Sequence, residues 1–487
     1  MQLTTETRSI FLSAICGTAM ASLAGMLARC GYQVSGSDNA VYPPMSTFLE
    51  QLGIPVYEGF SEENIRTARP DLVVIGNTLS RGNPEVEYVL DEGLRYASMA
   101  ETVQELFIRG RRSIVVAGTH GKTTTTAMTA WLLESAGRSP SFLVGGIAEN
   151  FQSSFQIGTG PDFVIEGDEY DTAFFDKGPK FLHYMPRIAM VKNIEFDHAD
   201  IYADLAAIQT SFRRLIQIVP RTGLIVAGTD YPAVADLLDG VHSRVATFGI
   251  RSGDWRADSI EYSAGGTGFD VIRSGVRWAR FQTPLAGEFN VQNALSAIIA
   301  AADVGLTPEE IQTGLARFKS VRRRLEIRGT EGGVTVYDDF AHHPTAVSET
   351  LRGVRNQFPD TRVWAIFEPR SQTARRRIFE AEFTKALQEA DVAVIASPFS
   401  TSHLTPDNVI RPEQMVQSIR AGGGEAHTFE STAEIVTFVS GQARSGDRIV
   451  VMSNGGFDGI HQRLLGALRD RESQRSAGQG GDQSVGE

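Results

Sequence analysis

A chain of 487 residues is long for a single core and predicts two to four domains. Its 42% hydrophobic and 21% charged content is that of an ordinary globular protein, and 46 basic against 58 acidic side chains give a net charge of −12, which argues against nonspecific binding to nucleic acid or an anionic membrane. Two cysteines, Cys16 and Cys30, make no disulfide framework and fit a reducing cytosol.

The stretch Ser9–Ala28 is apolar between Arg8 and Arg29, as in a signal peptide or short membrane span. Ser13, Gly17, Thr18 and Ser22 interrupt it and no stop-transfer pattern follows, so a strand (Ile10–Ile15), a glycine turn and a small-residue helix (Met20–Ala28) describe it better. A cytoplasmic protein with no membrane partner is expected. Further strands at Gln33–Gly36 and Leu72–Ile75 make an α/β region of about 1–110. Ser37-Asp38 follows the second strand, where an acidic residue meets a ribose in a nucleotide-binding β-α-β unit. The turn Cys16–Met20 lacks the full G-x-G-x-x-G pattern.

The second region, about 111–321, opens with Ser113–Thr126. A β-branched apolar run ends in Gly118-Thr119-His120-Gly121-Lys122-Thr123-Thr124, and a helical stretch (Ala127–Leu133) follows. That order cradles phosphate: turn and helix N–H groups face the anion, lysine adds a point charge, and a threonine hydroxyl can ligate Mg²⁺. Val116 stands where the general phosphate-loop pattern has its first glycine. A bound nucleoside triphosphate is predicted.

Short apolar runs at Phe163–Ile165, Ile188–Val191 and Gly223–Val226 read as buried parallel strands. The first leads into Glu166–Asp171 and the second into Lys192–Asp200. Ligands of an open parallel sheet gather beyond the strand carboxyl ends, so Thr123, Glu166 and His198 would converge on bound phosphates as a Mg²⁺ environment. Each carboxylate alone reads as a solvated loop residue; their placement at successive strand ends favours a site. Residues 245 to 285 read as a hairpin. In Gly287–Asn293, which opens a helical pattern through Val304, Asn290 and Asn293 share a face and could reach a purine edge; alternatively Asn290 caps the helix.

The third region, about 322–470, has strands at Val334–Tyr337, Val363–Phe367, Val392–Ala396 and Ile449–Met452, another open α/β sheet. Arg322-Arg323-Arg324 at its border is either a solvated linker or the source of an arginine that closes over a triphosphate. Asp338–Pro344 could be a metal site, a general base or a phosphate-facing loop, and the last is favoured because adjacent histidines seldom point the same way. Arg375-Arg376-Arg377 reads as an exposed helix face, and Arg471–Glu487 as a disordered tail.

Together these pieces resemble the Mur ligase superfamily, ATP-dependent amide-forming enzymes of peptidoglycan metabolism. Gly118–Thr125 resembles its nucleotide loop, Asn193–His198 its metal-site stretch, Gly287–Asn293 its adenine-binding helix, and Arg323–Glu326 and Asp338–Pro344 its interdomain and third-domain signatures. The resemblance implies a three-domain α/β architecture: a Rossmann-like UDP-sugar domain (1–110), a central P-loop ATPase domain (111–321) and a Rossmann-like C-terminal ligase domain (322–470). Ile75–Pro84, Ala173–Lys177, Phe367–Ser371 and Met452–Phe457 are similar to the branch that joins the murein tripeptide L-alanyl-γ-D-glutamyl-meso-diaminopimelate to UDP-N-acetylmuramate in recycling. The alternative is the branch that adds L-alanine to the same sugar nucleotide. That branch usually has a Pro-His-Arg-like element at Pro369-Arg370-Ser371 and a shorter segment between the positions matching Glu166 and His198.

By that resemblance, Gly17, Thr18, Ser37 and Asp38 surround the UDP moiety. Gly118, Thr119, His120, Gly121, Lys122, Thr123 and Thr124 hold ATP, with Lys122 on the β- and γ-phosphates. Thr123, Glu166 and His198 hold Mg²⁺, and Asn290 and Asn293 contact adenine. Arg324, Asp339 and His343 reach from the third domain toward phosphate, His343 assisting deprotonation of the amine, while Arg370 and Ser371 lie in the peptide site. Phe289, Leu12-Ser13 and Gln372 depart from the pattern, replacing respectively a histidine, an N-terminal histidine and an asparagine. A nucleotide switch or small-molecule kinase would leave the first and third regions unexplained, and a dehydrogenase would need the missing glycine fingerprint.

Overall fold

The protein is described by a computed structural model covering residues 7–42, 45–199, 201–401 and 404–479. The first sheet contains β1 (Ser9–Ser13), β2 (Gln33–Asp38), β3 (Val56–Glu58), β4 (Leu72–Ile75) and β5 (Tyr96–Ser98), all parallel in the order β3-β2-β1-β4-β5. The small-residue helix Thr18–Arg29 starts at Gly17 and buries Met20, Leu23 and Leu27 against it. The apolar stretch that mimicked a membrane span is this strand, turn and helix. Among the described residues no helix is long and apolar enough to cross a membrane.

The second sheet is built from β6 (Arg112–Ala117), β7 (Ser141–Ala148), β8 (Ser153–Gln156) and β9 (Asp162–Gly167). After a separate hairpin, β10 (Asp171–Ala173) and β11 (Asp176–Pro179), it adds β12 (Ile188–Val191), β13 (Leu224–Gly228), β14 (Arg244–Gly249), β15 (Trp255–Ser263), β16 (Gly266–Arg273) and β17 (Val276–Thr283). Its order is β17-β16-β15-β14-β13-β12-β6-β9-β7-β8. The central strands β12, β6 and β9 are parallel and buried on both faces, which is why they read as unbroken apolar runs. Helices Lys122–Ser135 and Glu288–Asp303 cover one face with Met128, Leu132, Leu295 and Ile298, and Leu205–Gln217 covers the other with Phe212 and Leu215. The region expected as one hairpin is a three-stranded antiparallel extension, β15 to β17.

The third sheet comprises β18 (Glu326–Glu331), β19 (Val334–Asp339), β20 (Val363–Phe367), β21 (Val392–Ala396), β22 (Glu425–Phe429) and β23 (Arg448–Met452). Its order is β18-β19-β23-β20-β21-β22, with β18 the one antiparallel member. Two expectations change here. The run Arg375–Arg377 is a turn entering a 3₁₀ segment, and Arg375 is buried with its guanidinium donating to the Phe399 and Ser400 carbonyls. Helix Ile460–Gln479 carries the chain nine residues into the segment expected to be disordered; 480–487 lie outside the described residues.

Candidate functional site

Because β12, β6 and β9 are adjacent and parallel, their following loops converge on one rim. After β6 the chain turns through Gly118 and Gly121, at φ 141° and 76°, values that favour glycine. A Cβ on Gly118 would lie 3.2 Å from the Asn193 carbonyl and side-chain oxygens. Asn193, just beyond β12, pins this turn: its carbonyl accepts from Thr119 N at 3.0 Å and its side-chain oxygen from His120 N at 2.8 Å.

Lys122 opens the helix, and its ammonium donates to the Gly118 carbonyl at 2.8 Å and to both oxygens of Glu169 at 2.8 and 2.9 Å. Burial disfavours this cation, but Glu169, Asp168 and Glu166 outweigh it and hold its pKa above the ordinary lysine value. Thr123 donates to Glu166 at 3.0 Å, and Gly145 N holds the other Glu166 oxygen at 2.9 Å. His198 meets Glu169 rather than Glu166, with Nε2 at 3.1 Å from Oε1. Burial opposes the His198 charge, yet Glu169 and Asp197 raise its pKa. The loops thus bring Lys122 and His198 together on Glu169, and Thr123 onto Glu166 beside them. Asp200, at the end of the expected stretch, lies outside the described residues.

Asn290 and Asn293 are buried on helix Glu288–Asp303. The helix begins at Gly287, so Asn290 is not its cap: its amide donates to the Ala286 carbonyl at 2.7 Å, and Asn293 donates to Asn290 at 2.9 Å. The Asn293 oxygen receives the ammonium of Lys192, which also donates to the His120 carbonyl at 3.3 Å. Burial, then repulsion from Lys122 and Arg324, brings the Lys192 pKa down to about 7.

The third sheet closes the other side. His343 caps helix Pro344–Gln357, its Nε2 lies 3.3 Å from the Phe196 carbonyl, and its ring centroid is 4.5 Å from that of His120. Burial and the neighbouring His120 lower the His343 pKa to about 4. Thr345 donates to Glu195 at 2.6 Å and Thr373 to Asp197 at 3.1 Å across the same junction. Asp339 is buried with its pKa raised by burial, and its oxygens accept from Leu325 N and Ala341 N, both at 2.8 Å. It therefore shapes the turn that presents Arg324. Arg323 is committed to the Ser453 and Gly455 carbonyls. Among the described residues the Arg324 guanidinium has neither ion pair nor hydrogen bond and lies 5.3 Å from the Phe340 ring centroid. Arg370 pairs with Glu368 at 3.4 Å and stacks 3.6 Å from the Phe399 ring centroid, and the Ser371 hydroxyl accepts from Ala374 N at 3.0 Å.

At the first sheet, Gly17 and Thr18 are exposed and Asp38 accepts from Cys16 N at 2.9 Å. The Ser37 side chain is turned away from solvent, so only its backbone remains to face a ligand. It lies within β2, fully buried, and its hydroxyl donates to Glu85 at 2.6 Å as Ser13 does from β1. Sequence reasoning assigned no individual role to Glu169, Lys192, Asn193 or Glu195. The signals for them were position after strands β9 and β12 and, for Asn193 and Glu195, the resemblance of Asn193–His198 to a metal-site stretch.

A glycine turn that opens a helix at the carboxyl rim of one α/β sheet, faced by a loop from another, fits the class of nucleotide-dependent transferases and ligases. Matches to known domains specify the class. Residues 11–111 match the Mur ligase family catalytic domain, 116–301 the Mur ligase middle domain and 323–455 the Mur ligase glutamate ligase domain. The UDP-N-acetylmuramate–L-alanyl-gamma-D-glutamyl-meso-2,6-diaminoheptandioate ligase of Escherichia coli K12 is 42% identical over 94% of this chain and 98% of its own. The UDP-N-acetylmuramate–L-alanine ligase of Acetivibrio thermocellus is 32% identical over 92% and 94%. Among solved structures, the murein peptide ligase of Psychrobacter arcticus superposes with a TM-score of 0.70 at 39% identity, covering 95% of this chain and 99% of that one. The chain belongs to the Mur ligase family, whose members are ATP-dependent amide-forming ligases.

Proposed function

We propose that this chain joins L-alanyl-γ-D-glutamyl-meso-diaminopimelate to UDP-N-acetylmuramate at the expense of ATP, forming UDP-N-acetylmuramoyl-tripeptide, ADP and phosphate in cytoplasmic peptidoglycan recycling. The observation that carries this reading is the near full-length match at 42% identity to a ligase named for that tripeptide, against 32% for the relative named for L-alanine.

The chemical problem is that a carboxylate is a poor electrophile at neutral pH. A muramyl carboxylate oxygen takes the γ-phosphoryl group, and ADP leaves as the phosphoanhydride bond breaks. The peptide α-amine then attacks the acyl carbon, and the tetrahedral intermediate expels phosphate while the amine loses its proton. On this reading the backbone N–H groups of Gly118–Thr124 cradle the phosphates, and Lys122 exchanges Glu169 for their oxygens. Arg324, the uncommitted guanidinium, neutralises charge on the transferred group from the third domain. Asn290 and Asn293 face adenine, while Gly17, Thr18 and Asp38 surround the uridine nucleotide. Arg370 and Ser371 receive the peptide. His343 Nδ1, which accepts only a long 3.4 Å contact from Thr345 N, could accept the amine proton. The third domain's contacts at Glu195, Phe196 and Asp197 exclude water that would hydrolyse the acyl phosphate.

Mg²⁺ fits the residues present. Thr123 and Glu166 offer a hydroxyl and a carboxylate 3.0 Å apart, hard oxygen donors of the kind this ion takes beside substrate phosphates, with His198 nearby on Glu169. When bound, the ion supplies charge neutralisation on the phosphoryl oxygens.

Purified protein given UDP-N-acetylmuramate, ATP and either L-alanine or the tripeptide tests the assignment. Phosphate release only with the tripeptide supports it. Release with L-alanine alone transfers the protein to the alternative branch, and release without any amine removes it from both.

A further inference from the structure

Beside the phosphate site, two imidazoles and a carboxylate converge from two sheets. His120 Nε2 lies 3.3 Å and His343 Nδ1 3.8 Å from the same Glu195 oxygen, and the three donor atoms fall within 4.8 Å of one another. Metal–ligand bonds of about 2.1 Å in a tetrahedron place neighbouring donors ~3.4 Å apart, so these separations need only small adjustment. The ring orientation of His343 is fixed independently. Its Nε2 faces the Phe196 carbonyl at 3.3 Å, which puts the N–H there and leaves the Nδ1 lone pair toward Glu195. That lone pair receives only a long 3.4 Å contact from Thr345 N among the described residues. Glu195 is oriented in turn by the Thr345 hydroxyl at 2.6 Å. A bare nitrogen facing a carboxylate oxygen is an arrangement that a cation between them would satisfy. His120 and Glu195 are part-exposed, which leaves room for a fourth, solvent ligand.

We propose that His120, Glu195 and His343 form a site for Zn²⁺ or a similar borderline divalent cation, which fastens the third domain to the phosphate loop. Two imidazoles and one carboxylate with an open position are a zinc donor set, whereas Mg²⁺ prefers oxygen and is served by Thr123 and Glu166. The two sites therefore select different ions. His120 belongs to the phosphate loop and Glu195 to the loop after β12, while His343 starts a helix of the third sheet. Occupancy holds these parts in the arrangement seen here and slows any cycle that must separate them. This kinetic consequence rests on the ligase reading; metal binding does not.

Co²⁺ serves as the probe, titrated into the full-length enzyme without nucleotide and in excess Mg²⁺. The expected result is one equivalent giving the intense visible bands of four-coordinate Co²⁺, displaced by Zn²⁺. The signal persists in His198→Ala, which removes the one imidazole named beside the neighbouring Thr123–Glu166 site. It is lost, or its affinity falls at least about tenfold, in His343→Gln and Glu195→Gln. Circular dichroism checks folding, and His120→Gln, on the part-exposed loop, replaces either variant that fails to fold. Absence of four-coordinate bands in the wild type overturns the proposal, as does a signal that survives His343→Gln or disappears with His198→Ala. A bare His120–Glu195 ion pair would give no bands. In the ligation assay Zn²⁺ at saturating Mg²⁺ should slow turnover. Co²⁺ binding without such inhibition removes the clamping role, and absence of ligation in untreated enzyme overturns the ligase reading while leaving the spectra to decide the site.

Discussion

Substituting Glu169→Gln tests how the phosphate site is held before nucleotide arrives. Glu169 is 2% exposed, takes Lys122 on both carboxylate oxygens at 2.8 and 2.9 Å and meets His198 at 3.1 Å. The amide preserves the shape and one acceptor oxygen but removes the anion that compensates a buried ammonium. Two unit charges at this separation attract by about 6 kcal/mol at an effective dielectric of 20, an upper bound before the carboxylate's own desolvation is returned. Removing one partner of a buried pair typically costs about 3–5 kcal/mol, and the retained hydrogen bond places this case near about 3. For a domain the size of the central one, that corresponds to a fall of about 6–12 °C in its thermal transition. If Lys122 exchanges Glu169 for phosphate oxygens on nucleotide binding, as proposed, the variant should lose less in the bound state. Differential scanning calorimetry with and without a non-hydrolysable ATP analogue reads both quantities. An unchanged transition without nucleotide, or a wild-type–variant gap that the analogue leaves the same, would refute the reasoning.

Three other outcomes are expected. Lys122→Ala should lower kcat by at least about 10³-fold while calorimetric binding of UDP-N-acetylmuramate persists, and unchanged turnover would remove Lys122 from the chemistry. Lys192, with its pKa near 7, loses its charge between about pH 6 and about pH 8, so apparent ATP affinity should weaken as pH rises through that interval. Lys192→Met should bind ATP weakly with a flatter profile, and parallel wild-type and variant profiles would count against the link from Lys192 to Asn293. His343 is held below the ordinary imidazole range by burial and by His120, so the unfolded chain binds the extra proton first and stability falls as pH drops below about 6.5. His343→Asn keeps a capping side chain and removes that slope, which urea melts at neutral and acid pH would detect.

The strand, glycine turn and helix around Gly118–Lys122 were legible because they are encoded in consecutive residues between an apolar run and a helical pattern. The parallel cores were legible for a related reason: strands buried on both faces leave unbroken apolar runs such as Ile188–Val191. The half-exposed strands β15 to β17 leave no such run, and three of them read as one hairpin. Ser37 and Asp38 show a different limit. Successive strand residues point to opposite faces, and Ser37 is the one turned inward onto Glu85, a contact that no local pattern announces. Arg375 was hidden because an arginine run normally reads as solvated surface, while here backbone carbonyls of residues 399 and 400 receive its guanidinium. Lys122 and Glu169 are 47 residues apart, and the pair exists only because β9 lies beside β6 with Glu166 opposite Val116. Nothing local in the sequence encodes that register.

That pairing changes what nucleotide binding means at this site. Lys122 donates to both oxygens of Glu169, with Asp168 and Glu166 close by, so the ammonium that would receive a triphosphate is already neutralised inside the protein. Among the described residues Arg324 and Lys192 have no carboxylate partner, and Arg324 stands on the third-domain side of the junction. On the proposed reading a phosphate arriving at Lys122 displaces Glu169, which keeps His198 Nε2 as its remaining partner. The measured affinity is then the difference between two sets of ion pairs, and weakening the internal set strengthens the external one. On that argument Glu169→Gln lowers the stability of the free protein and raises its affinity for ATP in the same substitution, a pairing of effects that simple loss of a binding residue cannot produce.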